Sequence, residues 1–209
     1  MSAQTPVSPE AVPTGNTFDK YGSTNPVVRR LMAGFEREME ELLERAGPSS
    51  ILDVGCGEGV LTEQWAARMT RARIVGVDLD DPKLRQDWER RQRPNLEFRA
   101  GRGDELPFAG DEFDAATAIE VLEHVPDPEA VLAEMTRVAK RWLLVSVPRE
   151  PVWRALNVAR GAYLRELGNT PGHLNHWSRR SFAALLGRFG TVVELRSPLP
   201  WTMALVRVR

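Results

Sequence analysis

The hydrophobic pattern changes its period along this chain. Between Val27 and Leu43 apolar residues recur every three or four positions, which predicts an amphipathic helix that ends at Gly47-Pro48. Beyond it, short and continuously apolar runs alternate with stretches of helical period. The runs predict strands over 51–54, 74–77, 96–99, 113–119 and 142–147, and the stretches predict helices over 58–69, 82–91 and from Pro128 onward.

The last third of the chain has a different pattern. Residues 149–177 are mixed in character and predict an irregular or helical cap insertion. Ser178 is a candidate N-cap of a helix that Gly190 would end, and 192–196 and 203–208 read as two closing strands. The alternation as a whole predicts an α/β fold with a doubly wound, mainly parallel, seven-stranded sheet and helical cap elements. We expect one domain over 17–209, preceded by a disordered tail over 1–16.

The composition of the chain limits the classes of partner that it is expected to bind. The 28 basic and 29 acidic side chains leave a net charge of −1, so nothing favours nucleic acid, which requires clustered positive charge. The single cysteine, Cys56, excludes an intramolecular disulfide and suits a reducing compartment. The sequence has neither a spanning apolar run nor a secretory signal. We therefore expect a cytoplasmic protein without an integral membrane span.

The strongest chemical signal is the segment from Asp53 to Gly59, between a predicted strand and a predicted helix. Its glycines, Gly55, Gly57 and Gly59, allow a ligand to approach the backbone closely, and the following helix N-terminus attracts negative charge. A dinucleotide fingerprint spaces its last two glycines three residues apart, and here they are two apart. This spacing argues against a nicotinamide-dependent oxidoreductase, which remains an alternative.

The segment, with an acid two residues before its first glycine, resembles motif I of class I S-adenosylmethionine-dependent methyltransferases. The resemblance implies a Rossmann-like methyltransferase fold in which Gly55 and Gly57 line the methionine end of S-adenosylmethionine and Asp53 helps to hold its ammonium group. It also implies that Asp78, at the end of the second strand, binds the ribose hydroxyls and that Leu79 packs on the adenine. The competing reading of Asp78 is a helix cap.

Two later segments extend the resemblance. Residues 101–108 are similar to the family's Gly-Asp-Ala-Glu and Leu-Pro-Phe pattern, except that Arg102 stands where the family has an acid. Arginine cannot accept a hydrogen bond, so adenine contact is expected from Gly103 or Asp104. Residues 119–128 resemble the family's small-molecule branch, which implies that Ile119 and Glu120 flank the methionine part of the cofactor.

The resemblance predicts methyl transfer to a small-molecule acceptor, with oxygen as a candidate atom. His173 and His176, in the cap segment, are candidate general bases or substrate ligands, and the alternative is a structural role in their loop. No metal site is expected, because two nearby histidines lack an evident third ligand. A non-catalytic S-adenosylmethionine-binding protein is the other function to test, with Arg102 as the sign of a degraded site.

Overall fold

A computed structural model describes residues 24–208. The predicted tail over 1–16 lies outside the described residues, as do residues 17–23 and 209. The first helix, α1, spans Pro26–Ala46. Asn25 caps its N-terminus by accepting a hydrogen bond from the Val27 amide at 2.9 Å, and Gly47 ends it in the left-handed conformation, with φ at 55°.

Seven strands and five further helices follow within residues 47–208. The strands are β1 (Ser50–Val54), β2 (Arg73–Asp78), β3 (Leu96–Ala100), β4 (Phe113–Ile119), β5 (Ala139–Pro148), β6 (Gly190–Arg196) and β7 (Trp201–Val208). The helices are α2 (Val60–Arg68), α3 (Pro82–Glu89), α4 (Pro128–Val138), α5 (Val152–Ala159) and α6 (Arg179–Leu186). The predicted seven strands are therefore confirmed.

The strands form one sheet in the order β3-β2-β1-β4-β5-β7-β6. Within this sheet β7 runs in the direction opposite to the other six strands, so the prediction of a mainly parallel sheet is confirmed. The core divides into two apolar clusters, one containing residues of α4 and α6 and the other residues of α1 and α2. Helices thus cover both faces, which explains why the central strands are apolar on both sides.

Several boundaries differ from the sequence prediction. Helix α2 begins at Val60 rather than residue 58, because the glycine turn continues to Gly59. Helix α6 ends at Leu186, and Gly190 opens β6 instead of ending the helix. A Cβ at Gly190 would lie 2.4 Å from the carbonyl oxygen of Arg207, so the close pairing of β6 with β7 requires glycine there.

The predicted start of α6 is confirmed. Ser178 caps it with a capping box that involves Ser181, and the rings of Trp177 and Phe182 lie 5.9 Å apart, as a hydrophobic staple requires. Of the cap insertion, one segment, α5, is a helix of eight residues. Within residues 24–208, no helix combines the length and the apolar character needed to cross a bilayer.

Candidate functional site

The candidate site lies at the edge of the sheet where the parallel strands end. The C-terminal ends of β1, β2 and β4 meet there because the three strands are parallel and adjacent. The antiparallel strand β7 begins at the same edge, since Trp201 pairs with Pro148 at the end of β5. In open α/β sheets, ligands bind in the crevice outside these strand ends.

The glycine turn after β1 is held against the end of β2. The amides of Gly55 and Cys56 both donate to the carbonyl oxygen of Val77, at 2.8 and 3.1 Å. Gly55 has a φ of 73°, and a Cβ there would lie 2.5 Å from a methyl carbon of Val121, so this position requires glycine. At Gly57 a Cβ would meet no heavy atom within 4 Å, which leaves the loop open to a ligand on that side.

Asp78 joins the glycine turn to the end of β2. Its Oδ2 accepts a hydrogen bond from the Gly57 amide at 2.7 Å, and its Oδ1 accepts one from the Leu79 amide at 2.7 Å. Burial raises the pKa of Asp78, and these two amides oppose the rise. The cap of α3 is Asp81, which accepts a hydrogen bond from the Lys83 amide. The carboxylate of Asp78 therefore lies in the crevice beside the open Gly57.

Asp53 lies beneath the turn, with only 3% of its surface exposed. Its two oxygens accept hydrogen bonds from the hydroxyls of Thr62 on α2 and Thr117 on β4, at 2.7 and 2.8 Å. Burial raises its pKa to about 6, and the two threonine hydroxyls counteract part of this rise. The carboxyl group is thus enclosed between α2 and β4, and its pKa lies below neutral pH.

Glu120 follows β4 directly and adopts a positive φ of 61°, which is uncommon for a residue with a side chain. The indole N–H of Trp201 donates to its Oε2 at 2.6 Å, and the Ser146 hydroxyl donates to its Oε1 at 3.1 Å. Ile119, the last residue of β4, is half-buried. Strained backbone of this kind persists where surrounding contacts hold it, and it is common at ligand sites.

The segment after β3 is organised by an ion pair. Arg102 donates from Nε and Nη2 to the two carboxylate oxygens of Asp104, at 2.9 and 2.6 Å. This hydrogen bonding lowers the pKa of Asp104. Gly103 packs against Val54, since a Cβ at that position would lie 3.2 Å from it. Arg102, the departure from the family's pattern, thus forms a two-pronged ion pair with the neighbouring acid.

The two cap histidines occupy different surroundings. His173 is buried, stacked on Trp153 with ring centroids 5.8 Å apart and edge-on to His124 at 4.9 Å. His176 is exposed, and its Nε2 lies 2.6 Å from Oδ1 of Asn169. Partial desolvation, and after it the charge of Arg154, lower the pKa of His176. His124, which follows β4, therefore neighbours His173.

Sequence reasoning missed several partners in this region. Thr62, Thr117 and Trp201 bind the site carboxylates from different elements, and no short-range spacing connects them with Asp53 or Glu120. Glu123 is 1% exposed and belongs with His124 and His173 to a group whose ligand atoms lie within 4.8 Å of one another. The adjacency of Glu123 and His124 in the sequence was the only available signal for this group.

The fold is shared with solved structures. The magnesium protoporphyrin IX methyltransferase of Synechocystis, solved with bound S-adenosylhomocysteine, superposes with a TM-score of 0.66 at 16% identity and covers 90% of each chain. The sheet and the crevice at its strand ends thus define the Rossmann-like fold of the S-adenosylmethionine-dependent methyltransferases.

Sequence comparison gives the family. The methyltransferase domain family matches residues 52–142. The ubiquinone biosynthesis O-methyltransferase of Hahella chejuensis is 40% identical over 93 residues, which are 43% of this chain and 38% of that one. The corresponding enzyme of Pseudomonas putida strain F1 is 30% identical over 162 residues, covering 68% and 66%. The chain belongs to the class I S-adenosylmethionine-dependent methyltransferases, and S-adenosylmethionine is its cofactor.

The match to the curated relatives is partial in length. This chain spans 38% to 48% of the first four of them.

Proposed function

We propose that this protein transfers the methyl group of S-adenosylmethionine to an oxygen atom of a small molecule. The observation that carries the proposal is the position of Asp78, whose carboxylate lies beside the open face of Gly57 at the edge of the sheet. Oxygen is favoured because several relatives are named as ubiquinone biosynthesis O-methyltransferases. His173, which is buried, and His124, which is half-buried, lie at the same edge and supply nitrogen groups that suit a hydroxyl acceptor.

The cofactor's nucleoside is assigned to the β2 side of the crevice. Asp78 accepts hydrogen bonds from the two ribose hydroxyls, and Leu79 packs on the adenine. Gly103 and Asp104 border the adenine edge, where Asp104 is ion-paired with Arg102. This arrangement leaves the adenine amine to backbone acceptors of that segment.

The methionine end is assigned to the β1 and β4 side. Gly55 and Gly57 provide the close backbone approach, and Ile119 and Glu120 flank the chain of the cofactor. Asp53 is enclosed by two threonine hydroxyls, so in this proposal it acts on the cofactor's ammonium group through its charge at short range.

The reaction breaks the bond between the methyl carbon and the sulfonium sulfur and forms a bond between that carbon and the acceptor oxygen. The electron pair of the broken bond stays on sulfur, which becomes the neutral thioether of S-adenosylhomocysteine. The acceptor hydroxyl loses its proton to solvent before or during the attack. Alignment of the oxygen with the methyl group, at about 3 to 3.5 Å, is the main requirement on the protein.

Of the two candidate histidines, we assign the acceptor contact to His173. His173 lies next to His124, and His124 follows Ile119 by five residues. His176 is exposed and hydrogen-bonded to Asn169. In this proposal His176 makes no contact with the acceptor. The change from His173 to alanine should therefore reduce turnover more than the same change at His176.

The test is turnover of S-adenosylmethionine that carries a labelled methyl group, with a panel of phenols, carboxylates and amines. Mass spectrometry should detect S-adenosylhomocysteine and an O-methylated product in equal amounts, and His173→Ala should lower kcat at least tenfold with little change in cofactor Kd. His176→Ala is the matched control. Cofactor binding with no product from any acceptor would favour the non-catalytic alternative, and an N-methylated product would refute the assignment to oxygen.

A further inference from the structure

The group formed by Glu123, His124 and His173 has the composition of a cation site. Each residue offers one ligand atom, and the three atoms lie within 4.8 Å of one another. Glu123 and His173 are buried, and His124 is half-buried. The expectation that the chain holds no metal depended on His173 and His176 as a pair without a third ligand, whereas the structure groups His173 with two other residues.

The backbone around the group holds its two halves together. The amides of Leu174 and Asn175 both donate to the carbonyl oxygen of Glu123, at 2.7 and 3.1 Å. The Asn175 side chain donates to the carbonyl oxygens of Leu122 and Val125, at 3.1 and 2.7 Å. Segments about 50 positions apart in sequence are therefore joined by four hydrogen bonds immediately beside the three side chains, so their proximity is a built feature of the fold.

The histidine rings are also oriented by their neighbours. Nδ1 of His124 lies 3.0 Å from the carbonyl oxygen of Gly172, which can only accept, so Nδ1 carries the proton and Nε2 presents its lone pair. Histidines that bind metals characteristically donate their other ring N–H to a carbonyl or carboxylate in this way. The ring of His173 lies between His124 and Trp153, whose own N–H donates to Thr170 Oγ1 at 2.9 Å.

We propose that Glu123, His124 and His173 bind one divalent transition-metal cation of the zinc class. Two imidazoles and one carboxylate suit such a cation, whereas Mg²⁺ and Ca²⁺ prefer oxygen ligands alone. Nε2 of His124 and Oε1 of Glu123 are 4.0 Å apart, and ligand atoms around tetrahedral zinc lie about 3.3 Å apart. Binding would therefore require side-chain rotations that bring the ligand atoms of the group closer together. Three protein ligands leave one coordination position for another molecule.

This inference deepens the proposed function and depends on it for its role in the reaction. A hydroxyl oxygen of the acceptor would occupy the open position, and the cation would lower its pKa so that the proton leaves to solvent before methyl transfer. His173 then acts as a ligand of the cation and not as the proton acceptor. The acceptor class is accordingly one with a hydroxyl that can bind a cation through a single oxygen, such as a phenol.

The test measures cation binding without any methyl transfer. Tag-free protein is freed of metal with a chelator and titrated with Zn²⁺ alone in a calorimeter, for the wild type and for Glu123→Gln, His124→Ala and His173→Ala. His176→Ala is the control, because it removes an exposed imidazole of the same loop. We expect one Zn²⁺ per chain, with the Kd raised at least tenfold in each of the three variants and changed less than twofold in the control.

A second readout keeps the test valid if a variant folds poorly. At one fixed Zn²⁺ concentration, the rise in Tm should be similar in the wild type and in His176→Ala and clearly smaller in Glu123→Gln. The proposal is overturned if the wild type binds no Zn²⁺ saturably, or if the Kd rises equally in His176→Ala. Because no methyl donor is present, stoichiometric binding of Zn²⁺ supports the site even if the proposed methyl transfer fails. Turnover that persists after a chelator has removed the metal would leave the proposed methyl transfer standing and refute a role of the cation in it.

Discussion

Replacement of Asp78 by asparagine probes the cofactor crevice at one carboxylate. Both oxygens of Asp78 already accept a backbone hydrogen bond, from Gly57 and from Leu79, each at 2.7 Å. Asparagine has a single acceptor oxygen, so the variant loses one of these bonds and also the negative charge that we propose binds the ribose hydroxyls. A hydrogen bond to a charged group contributes about 1.5 to 3 kcal/mol, so we expect the Kd for S-adenosylmethionine to rise about tenfold to a hundredfold.

The assay is calorimetric titration with S-adenosylhomocysteine, which binds without reacting. Asp80→Asn is the matched control, because this exposed acid lies two positions further on and pairs with Arg85 at 2.6 Å. Its Kd should stay within twofold of the wild type. A 2′-deoxy analogue of S-adenosylhomocysteine separates loss of the ribose contact from loosening of the glycine turn. The wild type should bind the analogue much more weakly than S-adenosylhomocysteine, whereas Asp78→Asn should bind the two with nearly equal affinity. An unchanged Kd in Asp78→Asn would refute the ribose assignment.

Three further predictions concern the groups around this crevice. Gly55→Ala should lower the free energy of unfolding in urea by about 1 to 3 kcal/mol, because the new Cβ meets Val121 and the backbone has a positive φ. Adding Val121→Ala to this variant should restore part of the loss, and a double variant whose loss equals the sum of the two single losses would contradict the contact. Burial raises the pKa of Asp53 from 3.8 to about 6, so the folded protein holds this proton more tightly than the unfolded chain does. The free energy of unfolding should therefore be highest below pH 3.8 and should fall by about 3 kcal/mol as the pH rises through 6. Unfolding of Asp53→Asn at pH 4 and pH 7 should lack this decline, and an equal decline in both proteins would count against it. Trp201→Phe removes the indole donor to Glu120 and should cost about 1.5 to 3 kcal/mol in the same assay, whereas a loss under 0.5 kcal/mol would mean that this hydrogen bond contributes little.

The sequence was sufficient for the architecture because the central strands are short and apolar on both faces. Runs such as 51–54 and 74–77 are buried between two helical layers, so their pattern reports directly on a parallel sheet. The capping residue Ser178 could be recognised for the same local reason, since a cap acts within three residues of itself. The end of α6 was misjudged because Gly190 is required by its partner strand, which no local pattern reveals.

The candidate site also contains residues that local sequence patterns reveal and residues that they do not. The glycine turn and Asp78 lie next to strand ends and could be located from the sequence, although their roles toward the cofactor remain predictions. The grouping of His173 with Glu123 and His124 could not be derived, because it depends on how a loop about 50 residues away is fastened by Asn175. Likewise, Trp201 reaches Glu120 only because β7 runs antiparallel and starts at the edge where β4 ends.

The central claim is that the crevice beside Gly57 and Asp78 holds S-adenosylmethionine in one orientation. A crystal structure of the protein with S-adenosylhomocysteine tests it most directly. The account predicts that the ribose hydroxyls lie within hydrogen-bond distance of the Asp78 carboxylate and that the sulfur points toward Glu120 and the histidine pair. A nucleoside bound elsewhere, or with its ribose away from Asp78, would contradict it.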